Sequence, residues 1–341
     1  MKLRFDRSLQ LSAVAALFLA LALPLPVAAQ VPSAVQVLDE VGFSSADQQK
    51  VMSGALVTTT LKSSSDRELA VAMAFLVKAP PSQLIEAARQ DVLLHIDANT
   101  IAFGKIHEQE TAHDFGGVTF TPDAKKRAQA YLDAKPGKAL NLSAAEIEAF
   151  SALRGKSASE SAVAEQVRKT LLGRYEAYRA KGLDGIAGYA RGGGKTAPAA
   201  GDLRRASEAA KELKKYVPAF YDVLGGYPNA RPAGFEERFD WSNYEAHGTP
   251  TFVLTHRFSM PDGDAYVLAQ RQYYVSRGYN VTQALAAFLP VEEGTVVVYV
   301  NRTSTEQVMG LGGGSKRSIG SRVMASQLKG LFEKVRKKAE Q

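Results

Sequence analysis

The sequence predicts an α+β fold: an antiparallel sheet closed by a long C-terminal helix and interrupted by a large helical insertion. Three observations predict it. Apolar or alternating runs bounded by turn residues occupy two separate parts of the chain, 54–79 and 251–303. The stretch between them, 121–226, carries helical periodicity and helix-start signals. Finally, "GLGGG" breaks the chain before a stretch with apolar residues at helical spacing.

The first residues are expected to lie outside the fold. Lys2, Arg4 and Arg7 form a basic start, an apolar run follows from Leu9 to Leu25, and "PVAAQ" offers small residues at Val27 and Ala29. That is the pattern of a secretory signal peptide over 1–29, cleaved before Gln30. Pro24 and Pro26 break the run and make it short for a membrane span. No other stretch reaches that length, so no transmembrane span is expected in the mature chain, and its location is expected to be periplasmic. The chain has no cysteine, which excludes disulfides, thiol catalysis and cysteine metal clusters.

Residues 30–120 read as the first part of the α+β domain. A short helix or arm (Val31 to Lys50) leads into strands at Gly54–Ser63 and Arg67–Ala79. "PPSQLIEAARQ" then starts a helix with its prolines, and "DVLLHIDANTIAFGKI" suggests a strand pair turning at Asp97–Thr100. Residues 121–226 read as the helical insertion, with caps at Thr121 before Pro122, at Ser143 with Glu146 three residues on, and at Asp202. Inside it "ARGGGKTAPAAG" has the composition of a flexible linker.

Residues 227–341 return to sheet. "TFVLTHRFSM" and "AYVLAQRQYYV" flank the hairpin turn "PDGD", and "GTVVVYVNRT" is a valine-rich strand. "QALAAFLP" between them reads as a short apolar helix or loop over the sheet. The closing helix, Ser315 to about Lys338, carries Ile319, Val323, Met324, Leu328, Leu331, Phe332 and Val335 as its apolar stripe.

This layout resembles the helix-grip arrangement of the START/SRPBCC superfamily of lipid- and hydrophobe-binding domains. "VAMAFLVKAPPSQLIEAA" is similar to that superfamily's early strand–proline–helix element, and "VVVYVNRTSTEQVMGLGGGSKRSIGSRVMASQLKGLFEKVRKK" to its last strand and C-terminal helix. The resemblance implies a sheet gripping the last helix around a hydrophobic ligand. "FDWSNYEAHGTPTFVLTH" and "QYYVSRGYNVTQAL…VVYVNRT" also resemble a family of exported bacterial proteins of unassigned role, which implies no activity.

Charge is unevenly spread. The formal charge is +7 for the whole chain, while Leu311–Gln341 alone holds eight basic and two acidic residues. The body is thus near neutral and its last helix is basic, so nucleic acid is not an expected partner. Lys329, Lys334, Arg336, Lys337 and Lys338 are the candidates for peripheral contact with anionic lipid, each worth about 1 kcal/mol near such a surface; a solvated helix face is the competing reading.

The catalytic motifs fail one by one, and no cofactor or metal is expected. "RGGGKTA" has Tyr189 where a phosphate loop needs its first glycine, and no helix follows at once. "HEQETAH" spaces His107 and His113 six apart instead of four, and His95, His247 and His256 show no ligand spacing. No G-x-S-x-G elbow occurs. Glu236–Glu237, near Asp240, are adjacent carboxylates that point apart on a strand, and Glu292–Glu293 before Gly294 reads as a turn.

What remains is the sheet face. Alternation puts Arg271 and Tyr273 on one side of their strand and Tyr274 on the other, with Arg302 at the same end of the valine-rich strand opposite Asn301. His256 shares a face with Phe252, Leu254 and Phe258. Arg271, Tyr273, Arg302, His256 and Asn301 are therefore the candidate ligand-binding residues, for a hydrophobic or anionic amphiphilic small molecule whose head group meets arginine. Alternatively, Arg302 pairs with Asp240 or Glu237 and the tyrosines cover the sheet. Three function classes follow: a periplasmic carrier first, an envelope-associated interaction protein with a filled core second, and a cavity-based hydrolase or cyclase third.

Overall fold

The computed structural model describes residues 32–109, 111–121, 123–154, 158–246 and 249–340. The segment 1–29 (expected to be a signal peptide), Pro122 and His247 lie outside them.

Two short helices open the fold, α1 (Ala34–Val41) and α2 (Ser45–Met52), each capped by a serine hydroxyl accepting from the third residue on. Strands β1 (Val57–Thr60) and β2 (Glu68–Val77) follow, then α3 (Pro81–Arg89), where Pro81 fills a position that needs no amide donor. The expected strand pair is half correct: Val92–Ile96 is a helix, α4, and only Thr100–Ile106 is a strand, β3. Asp91 turns the chain at φ 59°, and its carbonyl accepts from Leu94 and His95, so the apolar run winds instead of extending.

Helix α5 (Thr111–Asp114) precedes the insertion, which supplies α6 (Ala124–Leu132), α7 (Ala144–Arg154) and α8 (Glu160–Lys181). Ser143 and Glu146 form a reciprocal capping box at the start of α7. "ARGGGKTAPAAG" is not a loose linker. It makes a two-stranded hairpin of β4 (Tyr189–Ala190) and β5 (Thr196–Ala197), leading into α9 (Ala199–Glu208). Gly193 and Gly194 take positive φ at its tip, while fully buried Tyr189 and half-buried Arg191, the latter bonded to Glu306 and Asn141, anchor its base. Helices α10 (Leu213–Tyr216) and α11 (Pro218–Gly226) complete the insertion.

Five strands then run as a meander: β6 (Glu236–Ala246), β7 (Thr249–Asp262), β8 (Ala265–Val275), β9 (Val281–Val291) and β10 (Gly294–Ser304). The "QALAAFLP" stretch is the middle of β9, a central strand. Its alanines favour helix locally, but ladders on both sides and small side chains under helices on both faces override that preference. Helix α12 (Gly313–Ala339) closes the chain.

All ladders are antiparallel in one eight-stranded sheet ordered β1-β2-β10-β9-β8-β7-β6-β3. Helices cover both faces. On one face α1 and α2 pack over Ala72, Ala74, Leu76, Val296 and Val298, and the insertion packs over β6–β8 in the largest core. On the other face α3 and α12 pack against Met73, Phe75, Val77 and Val297. Burial on both sides explains why β2 is apolar throughout instead of alternating.

Candidate functional site

The row that crosses the sheet at Arg302 (β10), Gln283 (β9), Arg271 (β8) and His256 (β7) is continuous, since each pairs with the next in register. Opposite residues of an antiparallel ladder share a face, so this whole row turns toward the insertion. Helix α8 lies over its Arg271 and His256 end, presenting Arg174, Tyr175 and Tyr178 from one stripe, and α9 packs on β9 and β10.

Arg271 is fully buried. Its Nη1–H donates to Tyr178 Oη (3.1 Å), its Nη2–H to the Leu224 carbonyl (2.7 Å), and Nε–H and Nη2–H to Gln283 Oε1 (3.1 and 2.7 Å). Tyr178 Oη lies 3.0 Å from His256 Nδ1, and His256 Nε2 lies 2.9 Å from Glu237 Oε2. Arg231 sits 2.5 Å from the other Glu237 oxygen. The ends fix the direction of this chain, because arginine can only donate and a carboxylate only accept. Tyr178 accepts from Arg271 and donates to Nδ1; His256 carries its proton on Nε2 and donates it to Glu237. A buried cation thus reaches a carboxylate through two neutral relays, which offsets a desolvation cost of several kcal/mol.

The electrostatics agree with that polarity. Burial pushes His256 down from 6.5 to about 4, against the pull of Glu237, so the ring is neutral at pH 7. Burial raises Glu237, but the His256 hydrogen bond and the Arg231 charge outweigh it and hold the carboxyl below its ordinary value. Burial raises the Tyr178 and Tyr273 hydroxyls.

Glu237, His256 and Tyr178 stand in the order of a proton relay, yet the hydroxyl at its end is covered. Arg271 caps it, and the Tyr178 ring stacks on Tyr273 (centroids 4.1 Å apart) and on Tyr227 (5.5 Å). No face of it is open to a substrate.

The two tyrosines of "RQYYV" do not diverge as alternation predicts. Leu254 pairs with Tyr274 and Thr255 with Gln272, leaving Tyr273 as an extra residue on β8. This bulge turns Tyr273 and Tyr274 to the same side: Tyr273 stacks on Tyr178, and Tyr274 lies under the Arg174 guanidinium at 4.3 Å. Arg271, Tyr273 and Tyr274 thus share one surface, which α8 covers, while Gln272 faces the other side and accepts from Tyr279 Oη.

Arg302 does not join this group. Its Nη1–H donates to buried Glu68 Oε2 at 2.8 Å, not to Asp240 or Glu237; Asp240 instead takes Arg257 at 2.6 Å. Asn301 lies on the opposite face, bonded to Tyr299 Oη and Thr303 Oγ1. The structure therefore brings together Arg271, Tyr273 and His256 and separates Arg302 and Asn301 from them. The missed partners, Tyr178 and Gln283, left only a faint signal. Arg174 and Tyr178 share a helical stripe in "GRYEAYRAKG", and Gln283 is a lone amide in an alanine-rich run.

Two shallow hollows among the described residues lie elsewhere and open to solvent. One, of about 500 Å³, runs between β1 and α12 and is lined by Thr58, Thr60, Arg322, Ser326 and Lys329 among others. The second, of about 460 Å³, lies between α4 and β3. No group of three or more His, Asp or Glu that could hold a metal occurs among the described residues, and His107 is paired with Asp114 at 2.8 Å.

Helix α12 is anchored by Phe332, which packs on Phe75 and Tyr299, with Gly320, Met324, Leu328, Leu331 and Val335 half-buried beside it. Ile319 and Val323 do not belong to that stripe. They are 60% and 50% exposed, on the solvent side. Lys337 lies in phase with Ile319 about five turns on, and Lys334 with Val323 about three turns on. Of the basic candidates, Lys329, Lys334, Lys337 and Lys338 are exposed, whereas Arg336 turns inward to the Gly54 carbonyl (2.8 Å). Among the described residues no helix is long and apolar enough to cross a membrane. Comparison with protein-family models, curated proteins and solved structures finds no match for the chain.

Proposed function

We propose that this is an exported docking protein that works through its surface, with the outward face of α12 resting on an anionic lipid surface. The observation that carries the reading is that face itself. Ile319 and Val323 stand exposed on it, and Lys334, Lys337 and Lys338 follow in the last turns with no acidic partner among the described residues. Apolar side chains enter the headgroup boundary while lysines meet its phosphates, which is how an interfacial helix binds. The packing beneath supports the same choice. Of the residues that would hold the head group of a carried amphiphile, Arg271 and His256 spend their polar atoms on α8, α11 and neighbouring strands, and Tyr273 stacks its ring on Tyr178. In the helix-grip layout a ligand would lie between sheet and last helix, and Phe332 fills that space against Phe75 and Tyr299.

Co-sedimentation with vesicles tests the reading. Binding to phosphatidylglycerol vesicles should exceed binding to phosphatidylcholine vesicles and weaken with salt. Removing three lysines in K334A/K337A/K338A should cost about 3 kcal/mol, roughly a hundredfold in affinity. Equal binding to both vesicles, or an undiminished triple variant, defeats it.

A further inference from the structure

The eight-stranded sheet has two edges, and they differ. At β3 the ladder to β6 breaks register between Thr100 and Ala102, a bulge of the kind that keeps edges from pairing. At β1 there is no such guard: the strand reads Val-Thr-Thr-Thr, without charge, proline or bulge, and pairs evenly with β2. Leu61 N–H donates to Ala70 O at 2.9 Å, one step beyond the Thr60–Val71 pair. Because a ladder alternates, Val57 and Thr59 also turn their backbone groups to β2, and Thr58 and Thr60 turn theirs off the sheet.

The space beside that edge is shaped. It is the groove of about 500 Å³ between β1 and α12. Thr58 and Thr60 line its floor, and Arg322, Ser326 and Lys329 form its helical wall. Among the described residues Arg322, Ser326, Thr58 and Thr60 have no side-chain partner, and Lys329 has only Glu333 at 3.9 Å. The groove therefore offers unpaired strand amides and carbonyls, free hydroxyls and two cations against one distant carboxylate.

We propose that this groove receives an extended acidic peptide segment of a partner protein, which adds to β1 as a further antiparallel or parallel strand. Main-chain bonds to Thr58 and Thr60 hold it, and Arg322 and Lys329 select carboxylate side chains on the α12 side. The site is independent of the lipid-facing lysines, which lie on the neighbouring face of the helix.

The test uses the exported chain without its first 29 residues and a fluorescein-labelled peptide, Val-Glu-Val-Glu-Val-Glu-Val, read by anisotropy. Binding is expected, with slowed amide exchange at Thr58 and Thr60. R322E/K329E should lose at least about tenfold. T58P should lose as much, since it removes an outward N–H without touching the ladder to β2. K334A/K337A/K338A should bind the peptide as the parent does, even where it has lost vesicles. The lysine counterpart of the peptide should not bind. Three results overturn the proposal: no binding of the acidic peptide at millimolar concentration, equal binding of the lysine peptide, or binding unchanged in both groove variants. Phosphatidylglycerol binding that depends on Arg322 and Lys329, with no peptide binding, overturns it in favour of a lipid headgroup.

Discussion

At the scale of single residues the most consequential group is His256. Its folded pKa of about 4 lies below the ordinary 6.5, because burial penalises the charged ring. Between those values the unfolded chain takes up a proton that the folded chain refuses. Stability is therefore full above pH 6.5, falls as pH drops toward 4, and levels off below. At 1.36 kcal/mol per pH unit this amounts to about 3 kcal/mol. Glu237 adds to the acid limb with the opposite chemistry and the same sign: its lowered pKa gives stability above 4.5 that is lost as the carboxylate protonates. His256→Gln keeps an acceptor for Tyr178 and a donor for Glu237 but does not titrate. Urea midpoints measured from pH 7 to 4 should decline less steeply in that variant, and an unchanged slope would show that His256 is not the group responsible. The sequence showed where His256 sits, on an apolar strand face with Phe252, Leu254 and Phe258. It did not show what satisfies it, because Tyr178 comes from a helix remote in sequence. The bulge at Tyr273 was illegible for a related reason. Register is a property of two strands, and "RQYYV" alone reads as plain alternation.

At the scale of elements, legibility followed the agreement between local pattern and burial. Strands β2, β7, β8 and β10 and helices α3, α8 and α12 announce themselves through periodicity, caps or turns. Strand β9 does not, because its alanines answer to the helices on either side and not to its own backbone preference. The stripe of α12 was drawn too wide for the opposite reason. Seven apolar residues look like one face, but only those clustered around Phe332 touch the sheet, and Ile319 and Val323 look outward. This division makes a sharp prediction for denaturation. Phe332→Ala removes a ring packed on Phe75 and Tyr299 and should cost about 3–5 kcal/mol. Ile319→Ser with Val323→Ser should stay within about 0.5 kcal/mol per site. If the exposed pair proves as costly as Phe332, α12 packs on a different face from the one described.

At the scale of the whole molecule, the insertion is part of the core and not an attachment to it. Its Tyr175, Tyr178, Phe150 and Phe220 pack in the same cluster as Phe239, Trp241, Phe252, Phe258 and Tyr274 of the sheet. Separating the two layers would expose the apolar surface they share at about 25 cal/mol per Å² of apolar area, although the sheet keeps its second core under α3 and α12. The charged groups reinforce the coupling, since Arg271 on β8 depends on Tyr178 of α8 and the Leu224 carbonyl of α11 for its hydrogen bonds. Trp241 is well placed to report on this joint: its ring lies in the shared core, and its Nε1–H donates at 2.8 Å to the Asp114 carbonyl of α5, which packs on α8 of the insertion. The chain has a single tryptophan, so its fluorescence reads that boundary alone. Helix content, dominated by the insertion and α12, is read independently by far-ultraviolet circular dichroism. If the two layers hold each other up, the fluorescence and dichroism transitions in urea should coincide, and Tyr178→Ala should shift both midpoints together. A loss of helix that precedes the Trp241 change would mean that the insertion melts away from a sheet able to stand alone. The filled core would then be a cover that opens, and the residues beneath it would become reachable to a ligand.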